Sequence, residues 1–165
     1  MSIRFAKILL LATIALWISL VVVGNLSDYG TNLLFVRHVL NMDTIFPHAH
    51  VHQRAIHWRL LHYAVYTLIV ASEMLIAVAC WLGAWCLWRV RHGSADVFRR
   101  AKRTAVLGLT VGVMLWLGVF VAIAGEWFGM WMSKQWNGIQ SAFRFTIVLL
   151  VMLVWLTQSE DEPDN

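Results

Sequence analysis

Histidines are concentrated in one short stretch, "FPHAHVHQRAIHWRLLHY" at residues 46–63, which holds five of the seven in the chain. Three of them, His48, His50 and His52, alternate along the sequence. Pro47 disfavours helix just before it, and alternate side chains of an extended chain share one face, so three imidazoles could meet one Zn²⁺ or Cu²⁺ ion. Three neighbouring ligands on one flexible segment, with nothing visible to orient them, make a poor catalytic site. The stretch predicts an exposed loop, with metal binding as the alternative.

A single carboxylate, Glu73, interrupts a long apolar run about 16 Å from His62 by helical rise. A carboxylate inside a membrane helix is a functional hypothesis by default, because its burial is unfavourable. It would bind a proton or cation in a transport path, or line a quinone pocket. Alternatively, a protonated carboxyl bonds to a neighbouring helix and fixes the register of the bundle. No other apolar run carries an ionisable residue at that depth, which favours the structural role.

His62 marks the beginning of the same apolar run. Haem b in a membrane bundle needs two axial ligands on facing helices, and the other apolar runs contain no histidine. We therefore expect no haem, and we expect His62 to form a hydrogen bond to the loop before it.

Charged and polar side chains recur in the segments between the apolar runs. Together they predict an ion-pair network at the outer rim, and such networks are structural as readily as catalytic. We expect a structural role for this set: Asp28, Arg37, His38, Asp43, Arg54, Glu126 and Arg144.

The composition places all these residues in a membrane protein. The chain has 165 residues, of which 60% are hydrophobic and 13% charged, and so small a domain cannot bury that much apolar surface in water. Four runs approach the roughly 20 residues that cross a bilayer, and each must be helical so that its backbone polar groups are paired. The sequence predicts an all-α integral membrane four-helix bundle, a single domain over 1–165 with spans at about 5–24, 61–88, 104–124 and 140–157.

Basic residues predict the orientation. Arg4, Lys7 and the loop at 89–103 carry most of the positive charge, and an even number of spans puts them on one side, which the positive-inside rule makes cytoplasmic. We expect a bacterial inner-membrane protein with both termini in the cytoplasm, including the acidic tail at 159–165. The loops at about 25–60 and 125–140 then face the periplasm. The net charge of +4 reflects this topology and predicts no nucleic-acid partner.

The outer loops are too patterned to be bare connectors. "TNLLFVRHVLNMD" predicts a short amphipathic helix on the outer membrane surface, with Asn32 capping its start. With the aromatic second loop it would form a cap over the bundle. Inside the bundle, small residues four apart, at 79 and 83 and at 108 and 112, predict close helix packing. Trp17 and Trp116 lie mid-span and are expected to pack between helices.

Three segments resemble a known family: "NLSDYGTNLLFVRHVLNMDTIFP" (25–47), "RAI" (54–56) and "GEWFGMWMSKQWNGIQSAFR" (125–144). They are similar to the bacterial family of predicted small integral membrane proteins that carries a domain-of-unknown-function label. The resemblance implies a four-span inner-membrane protein and no particular reaction. The chain departs from the family pattern at "HAHVH", where mixed polar residues are expected.

No nucleophile–base pair, phosphate loop or dinucleotide motif stands out, so the sequence does not predict an enzyme. The aromatic and arginine-rich outer loops are typical of interfaces. They favour a non-catalytic accessory or interaction subunit with a membrane or periplasmic protein partner, besides the lipid bilayer itself. The alternative is a small transporter or redox-linked protein that handles protons, a metal ion, haem or quinone through Glu73 and nearby histidines.

Overall fold

The computed structural model describes residues 2–159, and most of the predicted acidic tail, residues 160–165, lies outside them. The described chain is helical, with no strand. Its α-helices are α1 (Ile3–Ser27), α2 (Tyr29–Asn41), α3 (Arg59–Arg89), α4 (Ala95–Ala101), α5 (Arg103–Val113) and α6 (Ile139–Thr157). A π-helical continuation of α5, Met114–Trp127, is called the π segment here, and short 3₁₀ turns occupy His52–Arg54 and Met130–Met132.

Four helical stretches of the described chain are long and apolar enough to cross a membrane. They are Ile3–Ser27, Arg59–Arg89, Ala95–Trp127 and Ile139–Thr157, the third combining α4, α5 and the π segment. The predicted all-α membrane bundle is therefore confirmed. Most helix ends lie beyond the predicted spans, because hydropathy marks the apolar middle of a helix while its hydrogen bonding continues into polar flanks.

Small residues bring α3 and α5 into close contact, as predicted. A Cβ added to Gly83 would lie 2.6 Å from the Ala105 Cβ, and one added to Gly108 would lie 2.8 Å from the Ala79 Cβ. Helices in lipid associate through packing rather than hydrophobicity, so such approaches stabilise the bundle. They fix the position of α3 against α5.

Three aromatic rings stack across three helices at mid-bundle. The Phe145 ring on α6 lies between Trp17 on α1, at a centroid distance of 4.1 Å, and Trp116 on the π segment, at 4.4 Å. Both pairs are within 7° of parallel. The prediction that these two tryptophans pack helix against helix is confirmed.

The loops at one end of the bundle form a second core, which we call the cap (residues 29–58 and 128–138). Helix α2 forms as predicted but begins at Tyr29. Asn32 is not its cap, because its side chain donates to the Asp28 carbonyl from within the first turn. The apolar face of α2 packs against α3 and against Phe128 and Met130 of the second loop, so protein covers it. A 2.8 Å hydrogen bond between Thr44 and Ser133 also joins the two loops.

The opposite end of the bundle gathers the basic residues. Arg4 donates to the Gly93 carbonyl at 2.5 Å, and Lys7 and Lys102 donate to the Gln158 carbonyl at 3.4 and 3.0 Å. The start of α1, the basic loop and the end of α6 therefore meet at one end, which we call the basic end.

Candidate functional site: a cavity beside Glu73

Glu73 is buried, with 3% of its surface exposed. Its Oε2 atom accepts a hydrogen bond from the Asn25 amide on α1 at 2.6 Å. Asn25 lies near the end of α1 whereas Glu73 lies halfway along α3, so α1 ends at the level of the carboxylate. One face of α3 beyond that level, including Tyr66, Ile69 and Val70, packs against the cap. Glu73 is therefore central in its own helix but lies just beneath the cap.

Tyr66 orders the same corner from two turns along α3, since residues seven apart share a helix face. Its hydroxyl donates to the Asn25 carbonyl at 2.8 Å, and its ring meets Tyr29 of α2 edge-on at 4.7 Å. Asn25 is thus held through its backbone while its side chain donates to Glu73.

A cavity of about 350 Å³ opens beside these residues. Its inner part is formed by the buried side chains of Glu73, Tyr66 and Trp116. Polar side chains line it toward the cap, namely Asn32 of α2, Asn137 of the second loop and Ser141 of α6, and the last two are exposed. Trp116 and Phe145 line it toward the basic end, so the aromatic stack closes that side. A volume of this order suits a small solute.

The electrostatics of the cavity depend on one carboxylate. No lysine, arginine or histidine is among the described side chains that line it, and Glu73 forms no ion pair with any residue in 2–159. Arg144 lies at the edge of the lining, where it donates to the Ser141 hydroxyl at 3.3 Å from the exposed side of α6. The cavity therefore carries an acceptor without a protein cation inside it.

An apolar cleft of about 330 Å³ lies on the other side of the same wall, between α2, α3 and the π segment. Phe35, Val36, Ile69 and Phe120 line both spaces. The π segment faces both, and its end is closed by a bond from the Phe128 amide to the Ile123 carbonyl, five residues back, at 3.1 Å. Such wide turns are rare and frequently occur at functional sites.

His62 makes the contact predicted for it. Its Nε2 donates to the Ile56 carbonyl in the first loop at 2.7 Å, while the buried Nδ1 finds no partner among the described residues. His62 does not line the cavity, and it lies about 16 Å from Glu73 along α3. The structure does not bring the two residues together.

The alternating histidines do not lie on an extended chain. The segment turns instead of extending: the Ala49 amide donates to the Phe46 carbonyl at 3.0 Å, and His52 begins a 3₁₀ turn. Pro47 lies inside this first turn, so the prediction of extended chain is wrong. Among the described residues, no group of three or more His, Cys, Asp or Glu is placed to hold a metal ion. Metal binding at His48, His50 and His52 stays a hypothesis that this geometry does not favour.

The predicted rim network is reduced to one pair in the described chain, His38 with Asp43 at 2.9 Å. Arg54 instead donates to the Trp127 carbonyl at 3.2 Å and lies 4.4 Å from the centre of its indole ring. Arg144 bonds within α6. No ion pair with a described residue involves the remaining predicted members, Asp28, Arg37 and Glu126. At Arg54 a carbonyl and an aromatic face therefore take the place of the predicted carboxylate partner.

Sequence reasoning missed several residues of the cavity, including Asn25, Tyr66, Asn137 and Ser141. The sequence predicted a hydrogen bond between Glu73 and a neighbouring helix but not the partner, which is the neutral side-chain amide of Asn25 near the end of α1. An asparagine at the boundary of an apolar run was the available signal.

Residues 3–159 match the family described as predicted small integral membrane protein (DUF2165). The chain belongs to this family. The resemblance noted in the loop segments is thereby confirmed over nearly the whole chain. No curated protein and no solved structure matches it significantly. The family description states membrane integration and no activity, so the function of this DUF2165 member has to be argued from its cavity.

Proposed function

We propose that this DUF2165 protein binds a small solute in the cavity beside Glu73. The observation that carries the proposal is a buried carboxylate that lines a 350 Å³ cavity in which none of the described lining residues is basic. A carboxyl group whose only role is to hold helices together would need the hydrogen bond from Asn25 but would not need a cavity beside it. Here the bond and the cavity occur together, and the second is what a binding site requires.

The arrangement suits binding better than catalysis. Glu73 is the only carboxyl group among the described residues lining the cavity, and no histidine or cysteine lies beside it to form a nucleophile–base pair. The closed side toward the basic end and the polar residues toward the cap give a site that takes solute from the cap side. Of the roles predicted from sequence, this geometry favours the solute-handling one.

Cysteine modification tests whether the cavity admits water and solute. Val21 lines the cavity on α1, whereas Ile18, nearly one turn away, is fully buried and lines no cavity described here. We expect Val21→Cys to react with the neutral reagent 2-hydroxyethyl methanethiosulfonate at least about tenfold faster than Ile18→Cys. The reaction of the parent chain's own cysteines, Cys80 and Cys86, is measured separately and subtracted from both rates. Equal rates would contradict the proposal, because they would mean that the space beside Glu73 does not admit water or solute.

We also propose the orientation: bacterial inner membrane, termini cytoplasmic, cap in the periplasm. Arg4 and the loop at 89–103 share the basic end, which supports the positive-inside assignment. Reporter fusions at the end of α6 and in the second loop test it. Cytoplasmic activity at the first site and periplasmic activity at the second are expected, and the reverse pattern would overturn the orientation and place the mouth of the cavity in the cytoplasm.

A second candidate function is the accessory or interaction subunit that the sequence favoured. Large aromatic side chains of the cap and of the π segment's end support it: Phe46, Trp58, Trp127 and Trp131 are between 48% and 65% exposed. Such rings are enriched at protein interfaces, and also at the headgroup level of a bilayer. Gentle extraction followed by native mass spectrometry tests it: a stoichiometric partner supports this function, and a chain that carries only lipid counts against it.

A further inference from the structure

We propose that the solute carries an alkylammonium group, held between the Glu73 carboxylate and the aromatic rings of the cavity. This inference deepens the proposed function and rests on it. It names a chemical class, a small organic cation, for a site to which no ligand is assigned.

Charge is the first reason. An ionised carboxylate away from water needs a cation or several hydrogen-bond donors beside it. Glu73 receives one hydrogen bond from the described residues, from Asn25, and no basic side chain lines the cavity. When Glu73 is ionised, a cationic ligand supplies the missing partner and an anionic ligand is repelled.

The aromatic lining is the second reason. Five aromatic side chains line the cavity with Glu73: Phe35, Tyr66, Trp116, Phe120 and Phe145. An ammonium group over a ring face is attracted by the ring quadrupole, most strongly where water is displaced. Both faces of Phe145 are covered by its stacking partners. Phe120 is half-buried against the apolar core but has no ring–ring contact with any described residue, so no other ring stacks on it.

Size and ligand type are the third reason. A bare Ca²⁺ or Mg²⁺ ion takes about six or more oxygen ligands in a tight shell, whereas this cavity offers one carboxylate in about 350 Å³. An organic cation fills such a space with methyl or methylene groups against the rings. Two kinds of molecule could supply such an ammonium group: a free amine solute, or a membrane lipid whose headgroup carries it. The apolar cleft behind Phe35 and Phe120 lies where an acyl chain would lie.

Binding of tritiated choline to the full-length protein in phosphatidylglycerol nanodiscs, measured by scintillation proximity, tests the inference. The wild-type chain is compared with itself: unlabelled choline and ethanolamine compete, and 3,3-dimethylbutan-1-ol, the neutral carbon analogue of choline, competes at least about tenfold more weakly. This comparison needs no variant and does not depend on any substitution folding correctly.

Variants assign the effect to the cavity. Glu73→Gln keeps an acceptor oxygen for Asn25 but removes the charge, and we expect a loss of choline affinity of about tenfold or more. Glu126→Gln, the same change at an exposed carboxylate that does not line the cavity, leaves affinity unchanged. Phe120→Leu keeps an apolar side chain without the ring, and lowers choline affinity about three- to tenfold.

The outcomes distinguish a failure of the cation assignment from a failure of the proposed solute-binding function. If the neutral analogue competes as well as choline and Glu73→Gln has no effect, the cavity binds solute but the cation assignment is overturned. If neither binds to the wild-type chain, the cation assignment is again overturned, and the modification of Val21→Cys decides the proposed function separately. Replacing part of the lipid by phosphatidylethanolamine identifies the source: weaker apparent choline binding indicates a lipid headgroup, and unchanged binding indicates a free solute.

Discussion

Gly83 on α3 allows a close approach to α5, and substituting alanine there perturbs the packing that positions Glu73. The added Cβ would lie 2.6 Å from the Ala105 Cβ and 2.8 Å from its backbone N and Cα. Backbone atoms cannot rotate away, and ordinary contact begins at 3.4 Å. Helices α3 and α5 must therefore separate locally by about 1 Å, enough to forfeit roughly a quarter to a half of the attraction between the atoms that part.

The expected magnitude follows from two opposing effects. Overpacking of this kind costs about 1–3 kcal/mol, while alanine in place of glycine favours a helix by up to about 1 kcal/mol. We expect Gly83→Ala to lower the free energy of unfolding by about 1–2 kcal/mol. Equilibrium unfolding in mixed micelles, followed by circular dichroism as sodium dodecyl sulfate is added, measures it.

Gly24→Ala is the matched control. It makes the same change in another membrane helix, where nothing lies within 4 Å of the added Cβ. We expect no loss of stability there, and a gain of up to about 1 kcal/mol. If Gly83→Ala has the same effect on stability as Gly24→Ala, then α3 and α5 do not approach each other as described. The placement of Glu73 relative to the π segment, which depends on that contact, would then be wrong as well.

Three further predictions concern the site and the loops. In a double-mutant cycle of Asn25→Ala with Glu73→Ala, we expect a coupling of about 0.6–1.7 kcal/mol in unfolding free energy, which extends from the average to the maximum for hydrogen bonds between membrane helices. Zero coupling would mean that the bond does not form. Arg144→Gln removes a cation beside Ser141 at the mouth and should tighten choline binding by roughly two- to threefold at low salt; weaker binding would indicate that the arginine attracts the solute. Replacing the three histidines of "HAHVH" by alanine should leave Zn²⁺ titration heats unchanged, because that segment turns rather than extends; loss of a tight site would show that the loop rearranges around metal.

The features that the sequence predicted well are those that depend on a helical period or on lipid. Apolar runs predicted the long helices, small residues four apart predicted the contact at Gly83 and Gly108, and mid-span position predicted the packing of Trp17 and Trp116. Each of these predictions follows from a local sequence pattern that is satisfied only by a helix packed in a membrane. The apolar positions of α2 predicted a helix for the same reason, but the sequence did not reveal that protein rather than lipid would cover its apolar face.

The features that it did not predict depend on which loop meets which helix. Asn25 reaches Glu73 because α1 ends at that level, and no spacing within one span reveals where another span ends. The alternation of the "HAHVH" histidines suggested one face only on the assumption of extended chain, and the turn at Pro47 removes that assumption. The π segment has no sequence period that distinguishes it from an α-helix in advance, so the wall it forms between cavity and cleft was not foreseeable.

The most direct test of the central claim compares two charged reagents of similar size on Val21→Cys. The cationic reagent is 2-(trimethylammonium)ethyl methanethiosulfonate and the anionic one is 2-sulfonatoethyl methanethiosulfonate, with rates normalised to a free thiol. An accessible cavity governed by Glu73 predicts that the cation reacts faster by roughly tenfold or more, that Glu73→Gln removes the preference, and that Glu126→Gln keeps it. Equal normalised rates, or no reaction beyond that of Ile18→Cys, would contradict the account.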